Sequence, residues 1–415
     1  MLYQLSIATC VSIALSACGA IDVTEEPVAT AESLQTLRQP TLSRTSPAVR
    51  ASITQAGLRL CDLQADRFAD NAHNGLVDED PDDGGWDWQT TPGSSSHSGS
   101  ASSKNLYGAT GLGLWGALQT GAPRPRYRAA LVDTYQGIRQ DAEVASAPDF
   151  VLLVLMSERY SDGRYAELAR ERYDSRIAEA GDANLLAASI RDSRHAAGAD
   201  GLIAYDLAWF GLGAWSLSQA YPGAGYHADF ERYMATVIED LRADTPSFDY
   251  RDAHEGYYVT GLAWSMLVSS WSPRNRSVFG ELRSRLLGMQ LENGAWPYSA
   301  DFPDANVQAT AHALIALGLT KQGHAAQAGG KQGVDWLVSQ QNDNGGWSYG
   351  ADLEYPLIDA EVALGMYLVG SVNSDSVSID VARGAPAPSV SPSPPAPFVL
   401  PSTPAPTPAA PEAAH

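Results

Sequence analysis

"VDWLVSQQNDNGGWSYGADLEY", residues 334–355, ends a run of helix-forming residues with Asn-Gly-Gly-Trp. Fifty-one residues earlier the chain reads "RSRLLGMQLENGAWPYSADF", residues 283–302. Both stretches contain Gln-x-x-x-Gly-x-Trp, as Gln290, Gly294 and Trp296 and then as Gln341, Gly345 and Trp347. Both continue as Trp-x-Tyr-x-Ala-Asp, so the similarity is a repeat of a whole structural unit. A glycine just past a helical run can take the left-handed conformation that ends a helix. A glutamine near that end can hydrogen-bond the backbone groups the helix leaves unpaired. The tryptophan then fills the gap toward the next unit, so the unit predicts bracing rather than chemistry.

Working outward from the repeat, charged amphipathic segments alternate with Gly- and Ala-rich apolar ones. The amphipathic set covers 51–67, 126–142, 164–179, 228–243, 276–290 and 328–341. In "ADFERYMATVIEDLRA", Phe230, Met234, Val237, Ile238 and Leu241 recur at helical spacing. The apolar set covers 106–118, 149–158, 204–218, 256–269, 305–319 and 356–370, and is apolar nearly all round. A helix of that kind must be buried on most sides. Six polar helices outside six apolar helices satisfy the pattern, which predicts an all-α fold: an (α/α)6 toroid, or barrel, of six helical hairpins.

Lys331, Gly333, Trp336, Leu337, Gln341, Gly345 and Trp347 follow the QW motif of squalene–hopene cyclases, and Gly84-Gly85-Trp86 reads as a degenerate copy. On these residues the body resembles the terpenoid cyclase/prenyltransferase α/α-toroid superfamily. The resemblance implies the toroid fold, and for a cyclase an Asp-x-Asp-Asp acid that protonates an alkene inside the cavity. Asp80-Pro81-Asp82-Asp83 matches that acid as a string, but it stands before the Gly-Gly-Trp copy rather than opening an apolar helix. The cysteine that a prenyltransferase zinc site requires, and the Cys-Gly-Glu-Gln of the thioester relatives, are both missing.

The two ends read differently from the body. Residues 1–17 form a short apolar stretch that leads into Leu15-Ser16-Ala17-Cys18-Gly19, resembling a bacterial lipoprotein signal that leaves Cys18 lipidated. Residues 18–48 then form a flexible tether, 49–375 the toroid, and 376–415 a disordered tail. From Gly384 to His415 the tail carries eleven of the 25 prolines, which favours an extended polyproline spacer. This arrangement predicts a lipid-anchored protein outside the cytoplasm, on the outer membrane or cell surface. With Cys10 removed and Cys18 lipidated, Cys61 is left alone, which excludes a disulfide framework. The net charge of −21 argues against nucleic acid as a partner.

Two groups of residues are candidates for function. In "DNAHNGLVDED", Asp70, Asn74, Asp78 and Asp80 offer hard oxygens around Gly75, the ligand type that a structural Ca²⁺ takes. At the mouths of the apolar helices, His254, Tyr257, His312, Asp304 and Glu361 are candidate catalytic groups. Asp252, Asn306, Gln308 and Asp359 are candidate ligand-binding groups. Gln308 and His312 share one helix face, and both need polar partners if buried. Three functions fit this inventory. The first is an envelope scaffold that binds a ligand without assignable catalysis. The second is a polysaccharide lyase or hydrolase using the His/Tyr/carboxylate group. The third is a terpenoid-cyclase-like enzyme acting on a hydrophobic small molecule. Convergence of His254 with His312 favours the second; an aromatic enclosure around one buried carboxylic acid favours the third.

Overall fold

The computed structural model describes residues 45–64, 84–92, 106–120, 123–140, 146–242, 258–320, 324–350 and 353–372. Thirteen helices run through them: α1 (Pro47–Leu63), α2 (Tyr107–Thr120), α3 (Arg124–Gln140), α4 (Ala147–Tyr160), α5 (Gly163–Ala180), α6 (Ala183–Ala196) and α7 (Ile203–Ala220), then α8 (Tyr226–Arg242), α9 (Tyr258–Ser270), α10 (Arg276–Gly288), α11 (Val307–Thr320), α12 (His324–Gln340) and α13 (Pro356–Val372). One two-residue pair of strands, β1 (Trp296–Pro297) and β2 (Ala305–Asn306), is antiparallel with Trp296 opposite Asn306.

The apolar helices close a ring. Contacts run α2 to α4, α4 to α7, α7 to α9, α9 to α11, α11 to α13, and α13 back to α2. Each packs on the amphipathic helix that precedes or follows it, α1, α3, α5, α8, α10 or α12, and these form the outer layer. The fold is an (α/α)6 toroid. Hydrophobic burial drives the layering: every residue of α9 from Val259 to Ser269 is buried, whereas on α8 the buried residues are confined to one face that includes Phe230, Val237 and Ile238.

Close approach sets the direction of the inner helices. A methyl group on Gly113 would overlap Ala360, and three residues on, one on Gly116 would meet Tyr367 and Ala363. Gly318 lies against Leu368 while Gly365 lies against Ala311 and Leu314. Positions rise together on both helices of each pair, so α2, α11 and α13 run parallel. The inner-helix N-termini therefore gather at one mouth, where acidic groups suit the positive ends of the helix dipoles. Asp149 shows this locally: it accepts hydrogen bonds from the Ser146 N–H (2.7 Å), the Ser146 hydroxyl (2.9 Å) and the Gly108 N–H across the ring (2.7 Å).

The repeat unit is a brace between neighbouring outer helices. Gln341 Nε2 donates to the Gly345 carbonyl (2.8 Å) and to the Ser52 carbonyl of α1 (3.0 Å). Gln290 Nε2 donates likewise to Gly294 (2.7 Å) and to Gly329 of α12 (2.8 Å). The tryptophans are fully buried, and their indole N–H groups return to the helix just ended, Trp347 to Leu337 and Trp296 to Leu286. A third brace exists at Gly84-Gly85-Trp86. Trp86 donates to the Leu60 carbonyl (2.9 Å), and Gln64 donates to Gly84 and to Ala130 of α3 (2.9 Å each). The three glycines share φ values of 79°, 91° and 94°.

The expected pairing of six outer with six inner helices needs one correction. Helix α6 was not foreseen, because "ANLLAASIRDSRHA" buries only Ala183, Leu186 and Ala187 and so shows no full apolar stripe. Asp182 starts it by accepting the Leu185 N–H (2.9 Å), and it packs over α5, α7 and α8. At the start of α11, Asn306 caps the helix, its side chain accepting the Ala309 N–H (2.8 Å).

Candidate functional site

The inner helices bring a set of polar and aromatic side chains together within their first two turns, no deeper than roughly 9 Å from the N-termini. Glu361 on α13, His312 and Gln308 on α11, Trp264 on α9, and Tyr205 and Trp209 on α7 make up this layer. Parallel inner helices are what align them: Glu361, His312, Trp264 and Trp209 are each the sixth or seventh residue of their helix and share one depth, while Gln308 and Tyr205 stand about one turn nearer the mouth.

A hydrogen bond fixes the tautomer of the layer's histidine. The Trp264 indole N–H donates to His312 Nδ1 at 2.9 Å, which leaves the proton of a neutral imidazole on Nε2. His312 Nε2 faces Glu361 Oε1 at 3.4 Å, and Gln308 Nε2 donates to Glu361 Oε2 at 3.3 Å. Burial pushes the imidazole down to about 3, so His312 is uncharged at neutral pH. Burial also lifts the Glu361 carboxyl to about 8, against a smaller lowering by the Gln308 hydrogen bond. Glu361 is therefore mainly the neutral acid at pH 7. Burial likewise holds the Tyr205 hydroxyl well above the usual phenol range, and the charge of Glu361 adds to the effect.

Rings pack around the histidine that faces this acid. Tyr205 stands edge-on to Trp264 (5.1 Å between centroids), to His312 (5.3 Å) and to Trp209 (6.4 Å), while Trp209 and Trp264 are tilted at 5.1 Å. Tyr205 and Asp206 are half-buried and form the side of the layer nearest the mouth. There, Arg194 of α6 makes a two-pronged ion pair with Asp206, Nε to Oδ2 at 2.6 Å and Nη2 to Oδ1 at 3.1 Å, which pins α6 beside the opening. Two polar atoms of the layer have no hydrogen-bond partner among the described residues: the Trp209 indole N–H and Gln308 Oε1, the latter on a side chain only 7% exposed.

The other candidates fall in different places. Asp359 lies in a separate buried cluster at the last brace, where its Oδ1 accepts the Trp347 N–H (2.8 Å). Burial, and then the neighbouring Glu354, hold its carboxyl well above the usual range. Glu354 in turn accepts from Arg59 Nε (2.6 Å) and Asn344 Nδ2 (2.9 Å). Asp304 is exposed on the loop before β2, and Asn306 is occupied as the cap of α11. Asp252, His254, Tyr257, Cys18 and the Ca²⁺ candidates Asp70, Asn74, Asp78 and Asp80 lie outside the described residues. Among the described residues no group of His, Cys, Asp and Glu is arranged to hold a metal.

No protein-family model matches this chain, and no curated protein matches it. Among solved structures it is similar to the type II terpene cyclase MstE from Scytonema. An arginine-to-alanine variant of that protein, in complex with geranylgeranyl dihydroxybenzoate, is 15% identical with a TM-score of 0.45, covering 80% of this chain and 99% of that one. The tyrosine-to-phenylalanine variant without ligand is 14% identical with a TM-score of 0.47, covering 80% and 98%. Both structural neighbours are terpene cyclases. The toroid of the present chain stands on its own closed ring of helix contacts.

Sequence reasoning reached His312, Gln308 and Glu361 but missed Trp264, Trp209 and Tyr205. Aromatic residues in an apolar helix usually mark packing, and these pack as well. The available signal was their position: Tyr205 and Trp209 are four apart and share one face.

Proposed function

We propose that the toroid binds an elongated apolar, isoprenoid-like molecule among its inner helices and that Glu361 is the proton donor presented to it. The observation that carries this reading is a buried, uncharged carboxyl facing His312, whose ring packs against those of Tyr205 and Trp264 with Trp209 beside them. Aromatic faces accept apolar chains and stabilise positive charge that develops beside them. A glycoside hydrolase pairs a raised-pKa acid with a second, free carboxylate, whereas here the carboxylate beside the layer, Asp206, is engaged on both oxygens by Arg194. Of the three functions weighed, the terpenoid-cyclase-like one is therefore preferred to the scaffold and the polysaccharide enzyme.

The test is incubation of the full chain with a panel of linear polyprenes, following tryptophan fluorescence for binding and mass spectrometry for altered products. Binding together with turnover that Glu361→Gln abolishes supports the reading. Absence of quenching by every polyprene removes it, and turnover that persists in E361Q removes Glu361 from the donor role.

The same proposal places the protein outside the cytoplasm, tethered by lipid on Cys18, a reading supported by Leu15-Ser16-Ala17-Cys18. Metabolic labelling with a tagged fatty acid should mark the wild type and not Cys18→Ala. Equal labelling of both would overturn the anchor.

A further inference from the structure

Resting on the reading of an apolar ligand beside Glu361, we infer that this ligand carries a neutral hydroxyl at the end lodged in the layer, and that Gln308 selects for it. The observation is the unpartnered Gln308 Oε1, on a buried side chain next to the carboxyl of Glu361. Its amide nitrogen is already committed to Glu361 Oε2, so the carbonyl oxygen is an acceptor held in place with nothing donating to it. An orphaned buried acceptor destabilises the site, and a matching donor recovers that loss. Exchange of the amide oxygen and nitrogen would orphan a donor instead. A hydroxyl serves either arrangement, because it donates and accepts.

The charge of the layer narrows the ligand further. Glu361 and His312 are both uncharged at neutral pH, and the guanidinium of Arg194, beside the layer, is neutralised by its two-pronged pairing with Asp206. A diphosphate would enter a low-dielectric enclosure that offers it no free cation among the described residues, at a desolvation cost that its chain cannot offset. A plain hydrocarbon would enter but leave Gln308 Oε1 unsatisfied. A prenyl alcohol meets both conditions, with its oxygen between Gln308 and Glu361 and its chain against the rings.

The experiment compares farnesol, farnesyl diphosphate and farnesene binding to the full chain at pH 7, by quenching of tryptophan fluorescence. Farnesol is expected to bind roughly fivefold to tenfold tighter than farnesene, the size of one recovered hydrogen bond, with the diphosphate weakest. In Gln308→Leu the farnesol-to-farnesene ratio should fall to about twofold or less. The wild-type comparison decides the matter even if that variant folds poorly. Equal binding of farnesol and farnesene overturns the hydroxyl inference and leaves the apolar-ligand reading in place. A preference for the diphosphate also overturns it. No quenching by any of the three overturns both.

Discussion

The side-chain amide of Gln341, at the end of the last outer helix, donates to the carbonyl of Ser52 in the first outer helix at 3.0 Å. These residues are 289 positions apart, so one glutamine fastens the two ends of the toroid. The same bond is made locally by Gln290 to Gly329 and by Gln64 to Ala130. A shared motif thus does two jobs, joining consecutive hairpins in two places and closing the ring in the third.

Removing these amides should be costly in a graded way. Each glutamine satisfies two backbone carbonyls, so Gln290→Ala, Gln64→Ala and Gln341→Ala should each lower stability by about 1–3 kcal/mol. Q341A should in addition steepen the loss of protection of α1 amides in hydrogen exchange, because α1 is held there by the brace. Protection in α1 unchanged from wild type would show that the core alone closes the ring.

The glycine of the brace should be far less replaceable than a glycine on the outer surface. Gly345 has φ 94°, and an added methyl would lie 2.6 Å from the Gln55 carbonyl oxygen. Gly345→Ala should therefore cost about 1–3 kcal/mol through strain and the forced shift of α1. Gly280, inside α10, would place its methyl in open space, so Gly280→Ala should raise stability by about 0.5–1 kcal/mol. Thermal unfolding of the two variants measures the contrast directly.

Burial of two titratable groups in one layer predicts a particular pH profile. Glu361 is raised to about 8, so between the unfolded carboxyl pKa of roughly 4.3 and pH 8 the native state holds a proton that the unfolded chain has lost. Its contribution is fully present below the unfolded value and is lost as pH rises through that window. His312 is lowered to about 3, so its contribution is present above the unfolded imidazole value and is lost as pH falls toward 3. The two slopes oppose one another at mildly acidic pH, and above the imidazole range the Glu361 slope remains. Asp359 is raised as well, and its proton is lost in the same direction. Denaturant titrations from pH 6.5 to 8 should show falling stability in wild type and a shallower fall in Glu361→Gln. An equal slope in both would assign the effect to Asp359, and Asp359→Asn checks that.

Arg59 and Glu354 form an ion pair with exposures of only 3% and 0%, joining α1 to the loop before α13. Removing one partner leaves a buried charge without its counterion. Arg59→Met and Glu354→Leu should each cost about 3–5 kcal/mol, while the double variant should cost clearly less than their sum. Additive losses would show that the two side chains act independently.

How far the candidate site could be read from sequence depends on the kind of residue. His312 and Gln308 stood out as polar groups in "ATAHALIAL", and Glu361 as a carboxylate in the facing apolar helix. Their convergence followed from the hairpin repeat. Arg59 and Glu354 gave no such sign, because Arg59 sits in an amphipathic helix where an arginine is ordinarily solvated. Gln64 was hidden for another reason: twenty residues separate it from Gly84, so the brace it completes has no fixed spacing. Asp304 drew notice as an acid near a helix start, yet the cap two residues later was Asn306.

By itself the sequence determined the alternation of apolar and amphipathic helices, and hence the two layers. Burial of an all-round apolar helix admits few solutions, and a roughly regular repeat of six such helices admits a ring. It also determined the brace, because a left-handed glycine and a following tryptophan are local features. Only the tertiary structure decided which side chains share one depth inside the ring. That depends on the parallel run of the inner helices and on the close approaches at Gly113, Gly318 and Gly365, which set each helix's height against its neighbour. The state of Glu361 was decided there too, since a carboxyl's charge is set by what surrounds it in space and not by its neighbours along the chain.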